Sequence, residues 1–397
     1  MGEGTGTFGW CPVRSVDRSI RRMARDRRTV VAALPVALIV ALAAACAPAV
    51  VVAPSLAPVA IPSARPAAPA PSPTPTPTPV PTPTPTPAPT PVAVGALDGL
   101  PVDPAKATRL PVAVLIDDAR RARPQSGFNA ASVVYQAPAD GGESRYMLVF
   151  QSKDARDIGP VRSGRMYFVQ WASETRAAIA HYGGDWQTRR YFDKYDWKRF
   201  TDVDALDGSS RAFHRIKSRR APHNAYTNTR SLWRQVKRLG GPSAIDASLP
   251  TRAFTDPLSP AERPAKQTIR IPYRTAAIGY RYDRASGLYR RSVDGRPQVD
   301  AADGKQVTTR NVVVLFMPYW IDTKIEPGHA RPVVVPLGRG KAWIFREGSL
   351  VKGRWEKPKD AALMRLFDDD GNEVPLVRGR TFFQVVPNGT KVTHRAG

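Results

Sequence analysis

From Ala47 to Val94 the chain is dominated by Pro, Ala, Val and Thr, with strict Pro-Thr alternation over Pro73–Thr78 and again over Pro81–Thr86. No apolar periodicity exists here to bury, and alternating prolines hold polyproline II geometry at about 3.1 Å per residue. The segment predicts a semi-rigid spacer reaching on the order of 100 Å or more. Any packed core is thereby confined to the region from about Ala96 to Gly397.

An address precedes the spacer. Arg25, Arg27 and Arg28 lead into an uncharged run from Thr29 to Ala45, which closes with Ala43-Ala44-Ala45 directly before Cys46. A basic start, an apolar stretch and small residues at a cleavage point make a secretory signal, for which Met23 is a better start than Met1. Small residues let a peptidase close on extended backbone, and the Cys46 thiol is then the acceptor for diacylglycerol. Leu42 stands one position earlier than the usual leucine of such a lipobox. Residues 1–45 therefore read as signal peptide, and residues 46–95 as lipidated cysteine plus tether. Buried acyl methylenes contribute roughly 0.8 kcal/mol each, so two or three chains anchor stably. The competing reading is an uncleaved signal anchor running on to Ala53. Both leave the arginines inside and the C-terminus outside, which predicts a location on the extracytoplasmic face of the cell membrane.

The two cysteines, Cys11 and Cys46, both precede the body. That excludes a disulfide framework, a zinc-cysteine cluster and a catalytic thiol within it. With 397 residues, 42% of them hydrophobic, the chain can bury a sizeable core in one or two domains. The formal charge is +25, and the first 95 residues hold only 8 basic and 3 acidic side chains, so +20 lies on the body. Such an excess favours polyanionic partners, among them phosphate polymers and anionic headgroups.

Clusters of Val, Ile, Tyr and Phe between turn residues predict strands over Pro111–Asp117, Ser132–Gln136, Tyr146–Gln151 and Ala177–His181. A helix is predicted over Thr229–Leu239, capped by Asn228 and ended by Gly240-Gly241, with Leu232, Trp233, Val236 and Leu239 on one face. Pro242–Lys266 reads as a boundary. Beyond it come short strands over Gln267–Tyr273, Gly279–Asp283, Asn311–Trp320, Lys341–Phe345, Leu350–Trp355 and Thr381–Val386, with turns at Asp294-Gly295, Glu347-Gly348 and Asp370-Gly371. The expected architecture is a mixed, layered α/β domain over residues 96–250 followed by a mostly β domain over 265–397, packed as one body.

Several strings resemble the YerB-like lipoproteins, a bacterial family with paired N- and C-terminal domains. In the first half they are RPQSG (Arg123–Gly127), GGESRYMLVFQS (Gly141–Ser152), IGPVRSGR (Ile158–Arg165), HYGGD (His181–Asp185) and APHNAYT (Ala221–Thr227). In the second they are GRGKAWIFREG (Gly338–Gly348), VKGRW (Val351–Trp355), LFDDDGNEVPL (Leu366–Leu376) and GRTFFQVVP (Gly379–Pro387). Their order and spacing cover nearly all of Leu100 to Pro387, and the sequence departs from the family pattern at Asp117-Asp118. The resemblance implies a mixed α/β fold and a lipoprotein signal, and supplies no activity.

Polar residues at strand ends and in loops of the first half are candidate site residues. Asp117, Arg123, Gln125, Ser126, Arg145, Arg162, Arg165 and Asn224 are candidates for ligand binding, with Ser163 beside them. Glu143, His181 and His223 are candidates for proton transfer. Guanidinium forks present paired donors to phosphate or carboxylate, so the ligand they fit is anionic. The bland alternative is that these arginines pair with Asp117, Glu143 or Asp157 and brace loops. Ser126 and Ser163 lack the G-x-S-x-G elbow, and the histidines lack zinc-protease spacing. Asp368, Asp370 and Asn372 imitate a calcium loop, but Glu373 stands where glycine is needed, which favours a hairpin turn. The basic and aromatic residues of Trp186–Phe200 read as an amphipathic helix-and-loop face or a glycan platform.

The function expected from these features is a membrane-anchored lipoprotein that binds an anionic envelope component, a wall polymer or glycan, with neither cofactor nor metal and no nucleic acid. The alternative is an enzyme acting on cell-wall precursors or polymers, hydrolase or phosphotransferase. The strand Tyr146–Gln151 and the loop Gly159–Arg165 resemble the arrangement in LytR-CpsA-Psr phosphotransferases, whose arginines hold a pyrophosphate, although the Arg-Asp pair of that family is missing here. Replacing Cys46 with Ala is expected to move the exported protein from the detergent phase to the aqueous phase on Triton partition. Retention in the detergent phase would point to the uncleaved anchor instead.

Overall fold

The computed structural model describes residues 92–195 and 200–397; the signal run, Cys46 and all but the last residues of the tether lie outside the described residues. The strands of four or more residues in the first half are β1 (Val112–Asp117), β2 (Val133–Pro138), β3 (Ser144–Phe150), β4 (Ala178–His181) and β5 (Thr201–Asp204). The second half adds β6 (Gln267–Pro272), β7 (Ala277–Asp283), β8 (Leu288–Val293), β9 (Asn311–Met317), β10 (Gly338–Arg346), β11 (Ser349–Lys357), β12 (Arg365–Asp368), β13 (Thr381–Pro387) and β14 (Thr393–Ala396). Three helices of seven or more residues, α1 (Met166–Ala172), α2 (Trp186–Tyr195) and α3 (Thr229–Arg238), belong to the first half. The chain is thus mixed α/β in its first half and mostly β in its second.

One ten-stranded sheet runs β12-β11-β10-β9-β13-β2-β3-β1-β4-β5 and takes five strands from each half. Its seam is the parallel pair β2–β13, with Val133 opposite Thr381 and Gln136 opposite Gln384. The halves therefore share backbone hydrogen bonds and pack as one body.

Strands near the seam are buried on both faces, which is why β1 and β13 read as nearly unbroken apolar runs. Val112, Val114 and Ile116 face a layer made of α3 and a second sheet containing β6, β7, β8 and β14. Ala113 and Leu115 face α1 and α2. At the seam Tyr135 stacks between Trp171 (4.9 Å, 9°) and Phe383 (4.7 Å, 14°), locking α1 to strands of both halves. In α3 the Asn228 side chain accepts from Ser231 N at 2.8 Å, and Leu232 and Val236 are buried, as the spacing predicts.

The N-terminal end of the body is tied down by Asp98. Its carboxylate accepts from Ser132 Oγ at 2.7 Å and Ser152 Oγ at 3.0 Å, and its carbonyl accepts from Gly379 N at 2.7 Å. The three donors lie where β2 and β13 begin and where β3 ends.

The run Asn311–Trp320 is not one strand. Pro318 has no amide to continue a ladder, so β9 ends at Met317, and Tyr319–Glu326 turns away to pair with His329–Val334 as a separate two-stranded arm. Asp294-Gly295 (φ 52° and 77°) and Glu347-Gly348 (φ 48° and 72°) close two-residue hairpins, as expected where both positions need positive φ. Asp368 Oδ1 accepts from Asn372 N at 2.8 Å, which makes the Asp-rich string a self-capped turn.

Phe383→Ala removes the ring that carries the seam stack, and is expected to destabilise the body by about 3–5 kcal/mol. Denaturant unfolding followed by tryptophan fluorescence and far-UV dichroism should show one shifted transition. Two separated transitions would mean that the halves unfold independently.

Candidate functional site

Three loops meet at the C-terminal end of β1. They are residues 118–127, 158–165 and 216–224, and each contains a cis X-Pro bond, at Arg123-Pro124, Gly159-Pro160 and Ala221-Pro222. Backbone bonds zip them together: Ser126 N to Gly159 O (2.8 Å), Asp117 N to Pro160 O (2.9 Å) and Val161 N to Ala225 O (2.7 Å). Arg219 adds bonds to the carbonyls of Ala122 and Pro124.

Asp117, buried at the end of β1, organises the outer part of this junction. Its Oδ1 accepts from Ala119 N at 3.1 Å, and its Oδ2 lies 2.6 Å from His223 Nδ1 and 3.1 Å from Arg162 Nε. The Arg162 contact is an ion pair without an aligned hydrogen bond. Glu143 stands half-exposed nearby. Burial, Asp117 and Asp118 push its carboxyl above the usual range, more than Arg123 and Arg162 pull it down.

Asp118 organises the inner part. Its Oδ1 accepts from Arg123 Nε (3.0 Å) and Gln125 Nε2 (3.1 Å), and its Oδ2 from Gln136 Nε2 (3.2 Å) and the Ser144 hydroxyl. Gln136 Oε1 in turn accepts from Arg291 Nη2 at 2.6 Å. Arg291 comes from β8 in the second half and is wholly buried among Tyr146, Tyr280 and Phe382. The second half also clamps the loop after β1. Asp300 accepts from Gly127 N (2.9 Å) and Asn129 N (2.7 Å), and Ala301 N donates to Gln125 O (2.9 Å).

A separate cluster forms around Asp140. Its carboxylate meets Arg165, Arg145 (3.6 Å) and Arg331 (2.9 Å), the last from the two-stranded arm. Burial alone would raise the Asp140 carboxyl, but Arg165, Arg145 and Arg331 hold it below the usual range. Arg145, buried and beside Arg165, is pushed down to about 10.

Two family models match the chain. A DUF3048 N-terminal domain, described as a protein of unknown function, covers residues 97–241, and a DUF3048 C-terminal domain covers residues 269–383. The chain belongs to this YerB-like family. It is 28% identical over 296 residues to "Putative lipoprotein YerB" of Bacillus subtilis (strain 168), spanning 74% of this chain and 86% of that protein. It superposes on the crystal structure of YerB protein from Bacillus subtilis with a TM-score of 0.67 and 25% identity, covering 76% of this chain and 99% of that one.

Of the residues expected at the site, the fold brings together Asp117, Arg123, Gln125, Glu143, Arg162 and His223. It does not add the others. Consecutive residues leave opposite faces of a strand, so Ser144 reaches Asp118 while Arg145 reaches Ser163 O (2.8 Å) and Asp140. Arg165 is sealed between Asp140 and Asp185, with 6% of its side chain exposed. A pyrophosphate gripped jointly by Arg162 and Arg165, as the phosphotransferase likeness implies, has no place here. Ser126 is buried with its backbone paired to Gly159, and Asn224 accepts from Arg215 at 2.6 Å inside its own hairpin. A cavity lies on the helix-covered face, lined by Tyr135, Trp171, Glu174 and Arg252, and no predicted site residue reaches it.

Sequence reasoning missed Asp140, Gln136, Ser144, Asp300 and Arg291. Only Arg291 carried a signal: alternation in Leu288–Val293 places it on the same face as buried Tyr289.

His181 is not a free base. Its ring is buried and stacked on Phe192 at 4.7 Å, with Nδ1 2.8 Å from Gly183 O and Nε2 2.8 Å from Asp202 Oδ1. Burial opposes its charge, but Asp202, Asp204 and Gly183 O outweigh it and raise the imidazolium from 6.5 to about 8. A raised folded-state value means stabilisation that is complete below pH 6.5 and lost as pH climbs through about 8, worth on the order of 2 kcal/mol. Denaturant unfolding across that window should show the loss, and His181→Gln should remove most of the pH dependence.

Proposed function

We propose that this protein is a membrane-anchored lipoprotein of the extracytoplasmic face that binds an anionic envelope polymer at the rim formed by the loops after β1 and around His223. The lipid anchor is supported by the name carried by the Bacillus subtilis relative and by the apolar run that ends at Cys46.

The observation that carries the binding reading is a set of cations without partners. Arg219 bonds the loop 216–224 to the loop 118–127, which joins the loop bearing Lys217 and Arg220 to the loop bearing Arg120 and Arg121. All four are exposed, and among the described residues none of the four side chains makes an ion pair or hydrogen bond. Arg123 and Arg162, paired with Asp118 and Asp117 on the joined loops, are 20% and 30% exposed. Some surface cations elsewhere are paired, as Arg290 is with Asp283 and Arg365 with Glu373, and others such as Arg281 and Lys237 are not, so what marks the rim is four unpaired cations on two joined loops. Like charges gathered in one place repel one another unless an anion lies between them, so a polyanion is the partner this rim fits.

The test is binding of purified protein to a teichoic-type polymer and to polyphosphate across a salt series. Affinity should fall steeply with salt, and the combined variant Arg120→Gln, Arg121→Gln, Lys217→Gln, Arg220→Gln should lose about tenfold or more and flatten the salt slope by roughly one per contact removed. Binding that ignores both salt and the variant would remove this reading.

A further inference from the structure

His223 has a side that the binding reading leaves unused. Asp117 Oδ2, 2.6 Å from Nδ1, fixes the ring in the tautomer that carries its proton on Nδ1. That leaves a lone pair on Nε2, which meets no protein group among the described residues, and 18% of the side chain is exposed. Asp117 itself is 3% exposed and held by Ala119 N, so the ring cannot swing away without uncovering a buried carboxylate.

Two further groups share this opening. Arg162 touches the same carboxylate through Nε only, and its two terminal amino groups make no bond among the described residues. Glu143 follows the turn at Asp140–Gly142 and precedes Ser144, whose hydroxyl meets Asp118. Its carboxyl has no hydrogen-bond partner among the described residues and lies in the field of Asp117 and Asp118, which favours the protonated form. His223 and Arg162 thus meet at one carboxylate, and the Glu143 carboxyl lies near enough to feel Asp117, Asp118, Arg123 and Arg162.

We propose that this site hydrolyses phosphodiester links in the anionic polymer it binds, with His223 as general base, Glu143 as general acid and Arg162 holding the phosphate. The inference rests on the binding reading. His223 Nε2 takes a proton from water, and the water oxygen bonds to phosphorus. The bond from phosphorus to the departing alkoxide breaks, and that oxygen takes the proton of the Glu143 carboxyl. The products are a phosphomonoester on one polymer end and a free hydroxyl on the other. The imidazolium then returns its proton to solvent and Glu143 regains one. Arg162 stabilises charge on the non-bridging oxygens as they crowd at phosphorus.

The experiment uses the full purified protein with poly(glycerol phosphate) in water enriched in heavy oxygen, followed by phosphorus NMR and mass spectrometry. New phosphomonoester ends carrying the heavy label are expected. His223→Gln and Glu143→Gln should each slow their appearance by about a hundredfold or more while polymer binding persists. The Glu143 side chain makes no bond that folding needs, so its variant reports on chemistry even if His223→Gln unfolds. Polymer that is bound and left intact overturns the hydrolytic inference and spares the binding reading. Polymer neither bound nor cut overturns both. Cleavage at wild-type rate in both variants overturns the residue assignment.

Discussion

The parallel pairing of β2 with β13 is the constraint on which the rest of this structure depends. It joins strands far apart in sequence into the middle of one sheet, so neither half has a complete core without the other. Gln136 shows the consequence most directly. Its backbone belongs to the seam, and its side chain links Asp118 of the first half to Arg291 of the second. The second sheet then reaches over to hold the loop after β1 through Asp300 and Ala301. The geometry around Asp117 is therefore a product of both halves, although every side chain at the rim comes from the first.

Charge is sorted on this scaffold by burial. Several arginines that the fold turns inward meet carboxylates: Arg145 and Arg165 with Asp140, Arg123 with Asp118, Arg252 with Glu174. A buried cation left alone would lose several kcal/mol of hydration, so such pairing is what folding requires. Arg291 is handled differently, by three aromatic rings and neutral oxygens. Exposed cations that make no ion pair among the described residues also stand on strands, as Arg270, Arg281 and Lys352 do, and on α3, as Lys237 and Arg238 do, where water screens their charge. The net basicity of the body thus says little about a site until internal pairs are subtracted.

Much of the fold is legible in the sequence because burial leaves a period. β1, β2, β3 and β4 fall within two residues or so of the expected runs, and α3 has its Asn228 cap and its Leu232 and Val236 face. The turn dipeptides at Asp294 and Glu347 announce their hairpins through the positive φ that both positions need. The arm at Tyr319–Glu326 escapes such a reading because an apolar run hides a break that only Pro318 marks. For the site, loop residue types are a fair guide to Asp117, Arg123, Arg162 and His223. They cannot tell Arg162 from Arg165, three positions apart, since the difference is which carboxylate the fold sets nearby. Asp140, Gln136 and Asp300 act through long-range contacts that no local pattern encodes.

The knot of bonds at Asp98 gives the molecule a mechanical polarity. The described chain enters where β2 begins and β3 ends, whereas Asp117 and Ser144 sit where β1 ends and β3 begins, so a strand length of roughly 20 Å separates the two. A pull applied at residue 92 would be taken up by Ser132, Ser152 and the backbone of Gly379, at the edge of the most deeply packed strands. The loops bearing His223 are at the slack end. Their spacing can hold while the other end is pulled.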